Sequence, residues 1–156
     1  MRIGHGFDVH AFGSNKPLII GGVSIPYIHG LIAHSDGDIV FHAIIDALLG
    51  AMSLGDIGSM FPNTNKKYEN INSRILIKEV WSIISEQNYK LSNIDISVIA
   101  ECPKMFSYRC YMKQNISREL SCSITDVNVK FTTTEKLGFI GRKEGIACEA
   151  VVILYK

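Results

Sequence analysis

The sequence lacks any apolar run long enough to cross a bilayer, and its opening, MRIGHGFDVH, lacks the continuous apolar segment of a secretory leader. A soluble, cytoplasmic protein is expected. Charge of either sign is in short supply. The formal net charge is +1 with His neutral, and the lysines and arginines are scattered, so no basic stripe argues for nucleic acid or an anionic membrane surface. A small anionic ligand stays open. The four cysteines, Cys102, Cys110, Cys122 and Cys148, form no CxxC pair, and the chain is neither short nor cysteine-dense, which excludes a disulfide scaffold and predicts reduced thiols. There is no GxSxG, HExxH or Walker A motif and no well-placed cysteine nucleophile. No repeat or linker-like shift divides the 156 residues, 47% of them apolar, so one domain over residues 1–156 is expected.

What is present centres on Ala33 to Gly58, AHSDGDIVFHAIIDALLGAMSLGDIG. From Asp38 to about Met52 nearly every residue is apolar, the pattern of a helix buried on most sides. Asp38, His42 and Asp46 break it at intervals of four, and so share one face. Burying such groups unpaired costs on the order of 2–7 kcal/mol for a neutral group and more for a charge, so a metal or polar ligand is expected to satisfy them.

Around this helix, Arg2 to Phe12 alternates as a strand whose glycines permit close approach of backbone or ligand. Pro17 to Tyr27 reads as a hairpin turning at Gly21 and Gly22. Phe61 to Asn72, polar and without period, reads as a mobile loop of the kind that covers sites. An amphipathic helix over Ser73 to Asn88, a strand over Leu91 to Ala100, a helix from Pro103 to about Leu120, and strands over Asp126 to Thr134 and Ile146 to Leu154 complete the order. The last strand is apolar on both faces apart from Glu149, so helices or another subunit must cover both sides. The order predicts an α+β fold, a mixed four-stranded sheet with helices on one face plus a small N-terminal hairpin.

Asp8 and His10 point to one side of the first strand, and with His42 they can surround a Zn²⁺ whose fourth position stays open; a chance DxH and a core histidine remain the alternative. Asp46 either orients the His42 imidazole or simply caps and pairs. His34 and Ser35 precede a helix N-terminus that suits a phosphate or is plainly capped. Thr132, Thr133, Thr134 and Glu135 open a glycine-containing segment reaching Arg142, a set that suits a phosphate with a divalent cation or an ordinary strand end. Pro103, Lys104 and Met105 serve phosphate contact or capping, and Asp56 holds hydroxyls or a turn.

RIGHGFDVH, LIAHSDGDIVFHAIIDALLGAMSLGDIG, FPNTN, PKM and DVNVKFTTTEKLGFIGRKEGIACEA together resemble the 2-C-methyl-D-erythritol 2,4-cyclodiphosphate synthase family over essentially the whole length. The resemblance implies a homotrimer with sites between subunits, one zinc per subunit on Asp8, His10 and His42, and a Mg²⁺ or Mn²⁺ near Glu135. It implies a substrate, 4-diphosphocytidyl-2-C-methyl-D-erythritol 2-phosphate, whose 2-phosphate attacks the β-phosphorus and expels CMP. His34 and Thr133 take the catalytic roles, while His34, Ser35, Asp56, Ile57 and Gly58 touch the methylerythritol phosphate. Phe61, Pro62, Asn63, Thr64 and Asn65 form a lid over the substrate. From the adjoining chain, Ala100, Glu101, Cys102, Pro103, Lys104, Met105 and Phe106, with Thr132 and Thr133, hold the cytidine diphosphate. Asp8, His10, Thr134, Glu135, Phe139 and Arg142 complete the implied contacts.

Two departures stand out. The family often reads FPDTD where this chain has neutral amides at Asn63 and Asn65, and Phe131 stands where a small residue is common. Alternation with Val127 and Val129 points Phe131 into the core, the alternative being a tighter nucleotide pocket. Arg142 and Glu144 lie in a segment that in some relatives lines a cavity on the trimer axis. A zinc phosphohydrolase and a zinc-stabilised interaction module are the competing readings.

Overall fold

The computed structural model describes residues 1–156. Strand β1 (Arg2–Ser14) leads to a hairpin of β2 (Leu18–Ile20) and β3 (Val23–Ile25), then the two-residue β4 (Gly30–Leu31). Helix α1 (Ile39–Met52) follows, then the single turn α2 (Ile57–Met60) and helix α3 (Ser73–Glu86). Strand β5 (Lys90–Ile99), helix α4 (Arg109–Glu119), strand β6 (Val127–Thr132), the short α5 (Gly138–Gly141) and strand β7 (Gly145–Tyr155) end the chain.

The main sheet runs β4-β1-β7-β5-β6, with β5 and β6 parallel and the other pairs antiparallel, so the fold is α+β with a mixed sheet. It has five strands where four were expected, because β4 pairs with the end of β1 at Phe12 and Leu31. A two-residue strand carries no readable alternation. The hairpin forms a separate two-stranded sheet.

Helix α1 is the buried centre. Every residue from Ile39 to Ile45 is buried, as are Ala47, Leu48 and Leu49. Each large apolar side chain so removed from water contributes on the order of 2 kcal/mol. Glycine lets the helix sit this close. A Cβ on Gly4 would lie 1.8 Å from the Ala47 carbonyl oxygen, and one on Gly6 would lie 2.0 Å from that of Ala43. The backbones of β1 and α1 therefore touch, and the side chains following on the same face of β1, Asp8 and His10, meet the first turns of α1.

The remaining helices follow their patterns, with corrections at the ends. Leu76, Ile77, Val80 and Ile84 bury one stripe of α3, and Met112, Ile116 and Leu120 bury the side of α4 facing the core. The helix expected from Pro103 begins only at Arg109, preceded by a 3-10 turn at Phe106–Tyr108 and a cis Cys102–Pro103 bond. The loop expected over Phe61 to Asn72 contains a 3-10 turn at Lys66–Tyr68, and Phe61 is buried. Its far end is pinned: Asn70 donates its N–H to the His34 carbonyl at 2.8 Å, and Asp36 donates to the Ile71 carbonyl at 3.0 Å.

Strand β7 is covered on one face only. Ile146, Cys148, Ala150, Val152 and Leu154 face the core, while Glu149, Val151 and Tyr155 are exposed. Beside them on β1, Ile3, Phe7 and Val9 are exposed as well, paired across the strands with Ile153, Glu149 and Ala147. All four cysteines are free thiols, and no helix is long and apolar enough to cross a membrane.

Candidate functional site

The polar line on α1 resolves into three different jobs. Asp38 caps the helix by accepting from the N–H groups of Val40 and Phe41. The same carboxylate accepts from Gly21 and Gly22, at 2.8 and 2.6 Å, both glycines having the positive φ that the hairpin turn needs. Asp46 accepts from the Ile57 N–H at 2.8 Å and so fixes the start of α2; it pairs in this way and makes no hydrogen bond to the His42 ring. Only His42 turns to the strand.

There the donors converge. Asp8 Oδ2 lies 2.9 Å from His10 Nε2 and 3.0 Å from His42 Nδ1, and the two ring nitrogens are 3.1 Å apart. Tetrahedral zinc with bonds of about 2.0–2.1 Å spaces its ligand atoms roughly 3.3 Å apart, so a small outward shift of this trio accommodates a metal. Burial opposes ionisation of Asp8, but when the His10 and His42 rings are protonated their hydrogen bonds and positive charge outweigh it, holding the carboxyl well below the ordinary range. An anionic oxygen beside two imidazoles is a donor set that fits a borderline cation. On its other edge the His42 ring meets Ser35 Oγ and Ser73 Oγ, each 3.0 Å from Nε2.

This trio forms one wall of a cavity of about 210 Å³. His34, Ser35, Ile57, Gly58, Phe61 and Asn63 line the rest, together with Ala33, Tyr68, Ile71 and Leu76, which sequence reasoning did not single out. The His34 Nε2 is buried without a partner, which leaves a ring nitrogen free for a ligand. Asp56 lies outside the lining and caps α2 by accepting from the Ser59 N–H, the bonds from Ser59 lowering its pKa. Pro62, Thr64 and Asn65 also lie outside it; Asn65 caps the following 3-10 turn through Lys67 N–H.

A second, separate cleft of about 120 Å³ is formed by Val98, Ala100, Pro103, Lys104, Met105, Phe106, Phe131, Thr132 and Thr133. Phe131 both packs against the core and walls this cleft. Glu101 and Cys102 turn elsewhere: Glu101 accepts from the Lys136 N–H at 2.9 Å, and Cys102 Sγ sits 2.8 Å from the Tyr27 hydroxyl. Glu135, with a positive φ of 52°, accepts from the Thr133 hydroxyl at 3.1 Å, and Thr134 donates to the Leu137 carbonyl. Within one chain Glu135 does not join the lining around Asp8, His10 and His42. Arg142 is paired with the Glu144 carboxylate at 2.8 Å, and Phe139 is part-exposed on α5; neither lines a cavity.

A sequence model described as the YgbB family matches residues 1–155. The chain belongs to the YgbB family. Among relatives of this YgbB chain, a Proteus mirabilis protein named 2-C-methyl-D-erythritol 2,4-cyclodiphosphate synthase is 56% identical over 156 residues, covering 100% of this chain and 98% of the relative. A Buchnera aphidicola subsp. Schizaphis graminum protein of the same name is 59% identical, covering 100% and 93%. Among solved structures, a Plasmodium falciparum IspF in complex with CDP matches with a TM-score of 0.87 at 40% identity, over 98% of this chain and 94% of that one. The bifunctional IspDF of Campylobacter jejuni matches with a TM-score of 0.94 at 49% identity. This chain spans only 42% of that larger protein.

Proposed function

We propose that the protein is a cyclodiphosphate synthase, a CMP-releasing phosphorus–oxygen lyase of non-mevalonate isoprenoid precursor biosynthesis. Its substrate is 4-diphosphocytidyl-2-C-methyl-D-erythritol 2-phosphate and its products are 2-C-methyl-D-erythritol 2,4-cyclodiphosphate and CMP. The observation that carries this reading is the convergence of Asp8, His10 and His42 on a cavity that His34 also lines. The full-length relatives that bear the synthase name support it.

The attacking 2-phosphate is a monoester with a second pKa near ~6, already largely dianionic at neutral pH, so its oxygen needs no base to remove a proton. That oxygen forms a bond to the β-phosphorus while the bond to the bridging oxygen breaks, and the electron pair leaves with CMP. Positioning and charge neutralisation do the rest. Asp8, His10 and His42 would hold one Zn²⁺ per subunit, and Glu135, which accepts from the Thr133 hydroxyl, would hold a Mg²⁺ or Mn²⁺. Bound there, the cations would neutralise charge on the phosphate oxygens. His34 donates to a phosphate oxygen, Ile57 and Gly58 wall the methylerythritol portion, and the Phe61–Asn63 end of the loop keeps water out. Lys104, Thr132 and Thr133 engage the cytidine diphosphate in the second cleft.

The two clefts are separate in one chain, and one β1/β7 face exposes Ile3, Phe7, Val9 and Val151 around Glu149. Both facts support a homotrimer in which each site joins the metal half of one copy to the nucleotide half of its neighbour. One such domain occupies residues 1–156, with the cytoplasm as its compartment and a small molecule as its ligand. Incubation with the cytidyl substrate, Zn²⁺ and Mg²⁺, followed by phosphorus NMR, is expected to show the cyclic diphosphate and CMP in equal amounts. Release of inorganic phosphate instead makes water the nucleophile and the protein a phosphohydrolase.

A further inference from the structure

The far edge of the His42 ring meets a hydrogen-bond chain whose direction can be read by counting protons. Ser73, the first residue of α3, is fully buried, and its Oγ lies 2.5 Å from Asp36 Oδ1. The Ser73 N–H also donates to Asp36 Oδ2 at 3.1 Å, and the Asp38 N–H donates to Oδ1 at 3.2 Å. A carboxylate only accepts, so the single hydroxyl proton of Ser73 is committed to Asp36. Toward His42 Nε2, 3.0 Å away, Ser73 Oγ therefore offers only a lone pair, and this hydrogen bond forms only when Nε2 carries the proton. Ser35 Oγ, also 3.0 Å from Nε2 and already accepting from the Gly37 N–H, can share that proton. In a neutral imidazole a proton on Nε2 leaves the lone pair on Nδ1, the atom that faces Asp8 and His10.

We propose that Asp36 and Ser73 are positioning residues: as a carboxylate–hydroxyl–imidazole relay they lock the His42 ring in the tautomer and orientation that present Nδ1 to a metal. The metal part of this statement rests on the proposed zinc site; the tautomer part does not. Without the relay, Asp8 at 3.0 Å from Nδ1 draws the ring proton to that nitrogen, and the proton must be displaced before Nδ1 can ligate. The relay also couples the loop before α1 to the start of α3, since Asp36 belongs to the former and Ser73 to the latter.

The test uses the full-length protein, metal-free and zinc-loaded. Nitrogen-15 NMR of the His42 ring in metal-free protein near pH ~9, above the usual imidazole range, is expected to show the Nε2–H tautomer. Ser73→Ala and Asp36→Asn, which cut the relay at its hydroxyl and at its carboxylate, are expected to shift the ring toward Nδ1–H and to weaken zinc binding, measured by chelator competition, about 10–100-fold. An Nδ1–H ring in the unaltered protein overturns the proposal, as does a Ser73→Ala variant with unchanged tautomer and unchanged zinc affinity. The unaltered protein's spectrum decides even where a variant fails to fold. Absence of zinc binding by the unaltered protein removes the metal assignment and leaves the tautomer to decide the relay alone.

Discussion

Asp38 shows how much one buried side chain is asked to do. It is fully buried, and burial pushes its carboxyl up to about 6, the N–H groups of Gly22 and Gly21 offsetting only part of that and the nearby Asp36 charge adding to it. The native carboxyl thus holds its proton more tightly than the unfolded chain's, whose pKa is near ~3.9. Its contribution to stability is whole below about pH 4 and is lost as the pH rises through about 6. Urea unfolding of the wild type and Asp38→Asn across this window is expected to show the wild type losing roughly 2–3 kcal/mol relative to the variant, at about 1.4 kcal/mol per pKa unit. A difference that stays flat or grows with pH contradicts the assignment. The four-residue spacing made Asp38, His42 and Asp46 visible as polar intruders on an apolar helix, but not their partners. The amides that satisfy Asp38 sit on a hairpin 16 and 17 residues away, and the hydroxyl that meets His42 belongs to Ser73, 31 residues on. Ser73 opens an amphipathic helix, where a serine is ordinary, so nothing local marks it.

At the scale of elements, the decisive contact is β1 against α1. It exists because Gly4 and Gly6 have no Cβ, and it sets the distance between the strand donors Asp8 and His10 and the helix donor His42. Gly6→Ala must push α1 away from the sheet, since the new methyl would stand 2.0 Å from a helix carbonyl oxygen. The expected result is a loss of about 3 kcal/mol or more in unfolding free energy together with weakened zinc binding. Unfolding and metal titration of the same preparation check both, and unchanged values for both contradict the close-packing account. Long periodic elements were readable: β1, α1, α3 and β7 lie within about two residues of where alternation and the helical period put them. The single turns α2 and α5 were not, because four residues give no period to read, and β4 has only two. Pro103 signalled a helix start, yet a 3-10 turn at Phe106–Tyr108 comes first and α4 begins only at Arg109, while Ala100, Pro103, Lys104 and Met105 build a cleft wall.

For the whole molecule, a single chain presents two separate cavities and an exposed sheet face. The apolar character of β7 on both sides foretold that face, since helices cover only one, and Ile3, Phe7 and Val9 extend it onto β1. Together with the separate clefts, it supports the proposed junction between copies, in which the metal half and the nucleotide half would come from different chains. Residue patterns alone could not separate the two halves, because Asp8 and Thr133 are both present in every chain; the family resemblance implied that they come from different chains, and the fold shows that they line different cavities.

That division is most directly tested by complementation. His42→Ala is expected to lose zinc and turnover, and Lys104→Glu to lose turnover by setting a negative charge against a diphosphate in the second cleft. Mixed in equal amounts, unfolded and refolded together, the two inactive variants are expected to recover about a quarter of wild-type turnover, the share of junctions with both halves intact in a randomly assorted ring. No recovery at any mixing ratio, with both variants folded and associated, contradicts a site shared between chains.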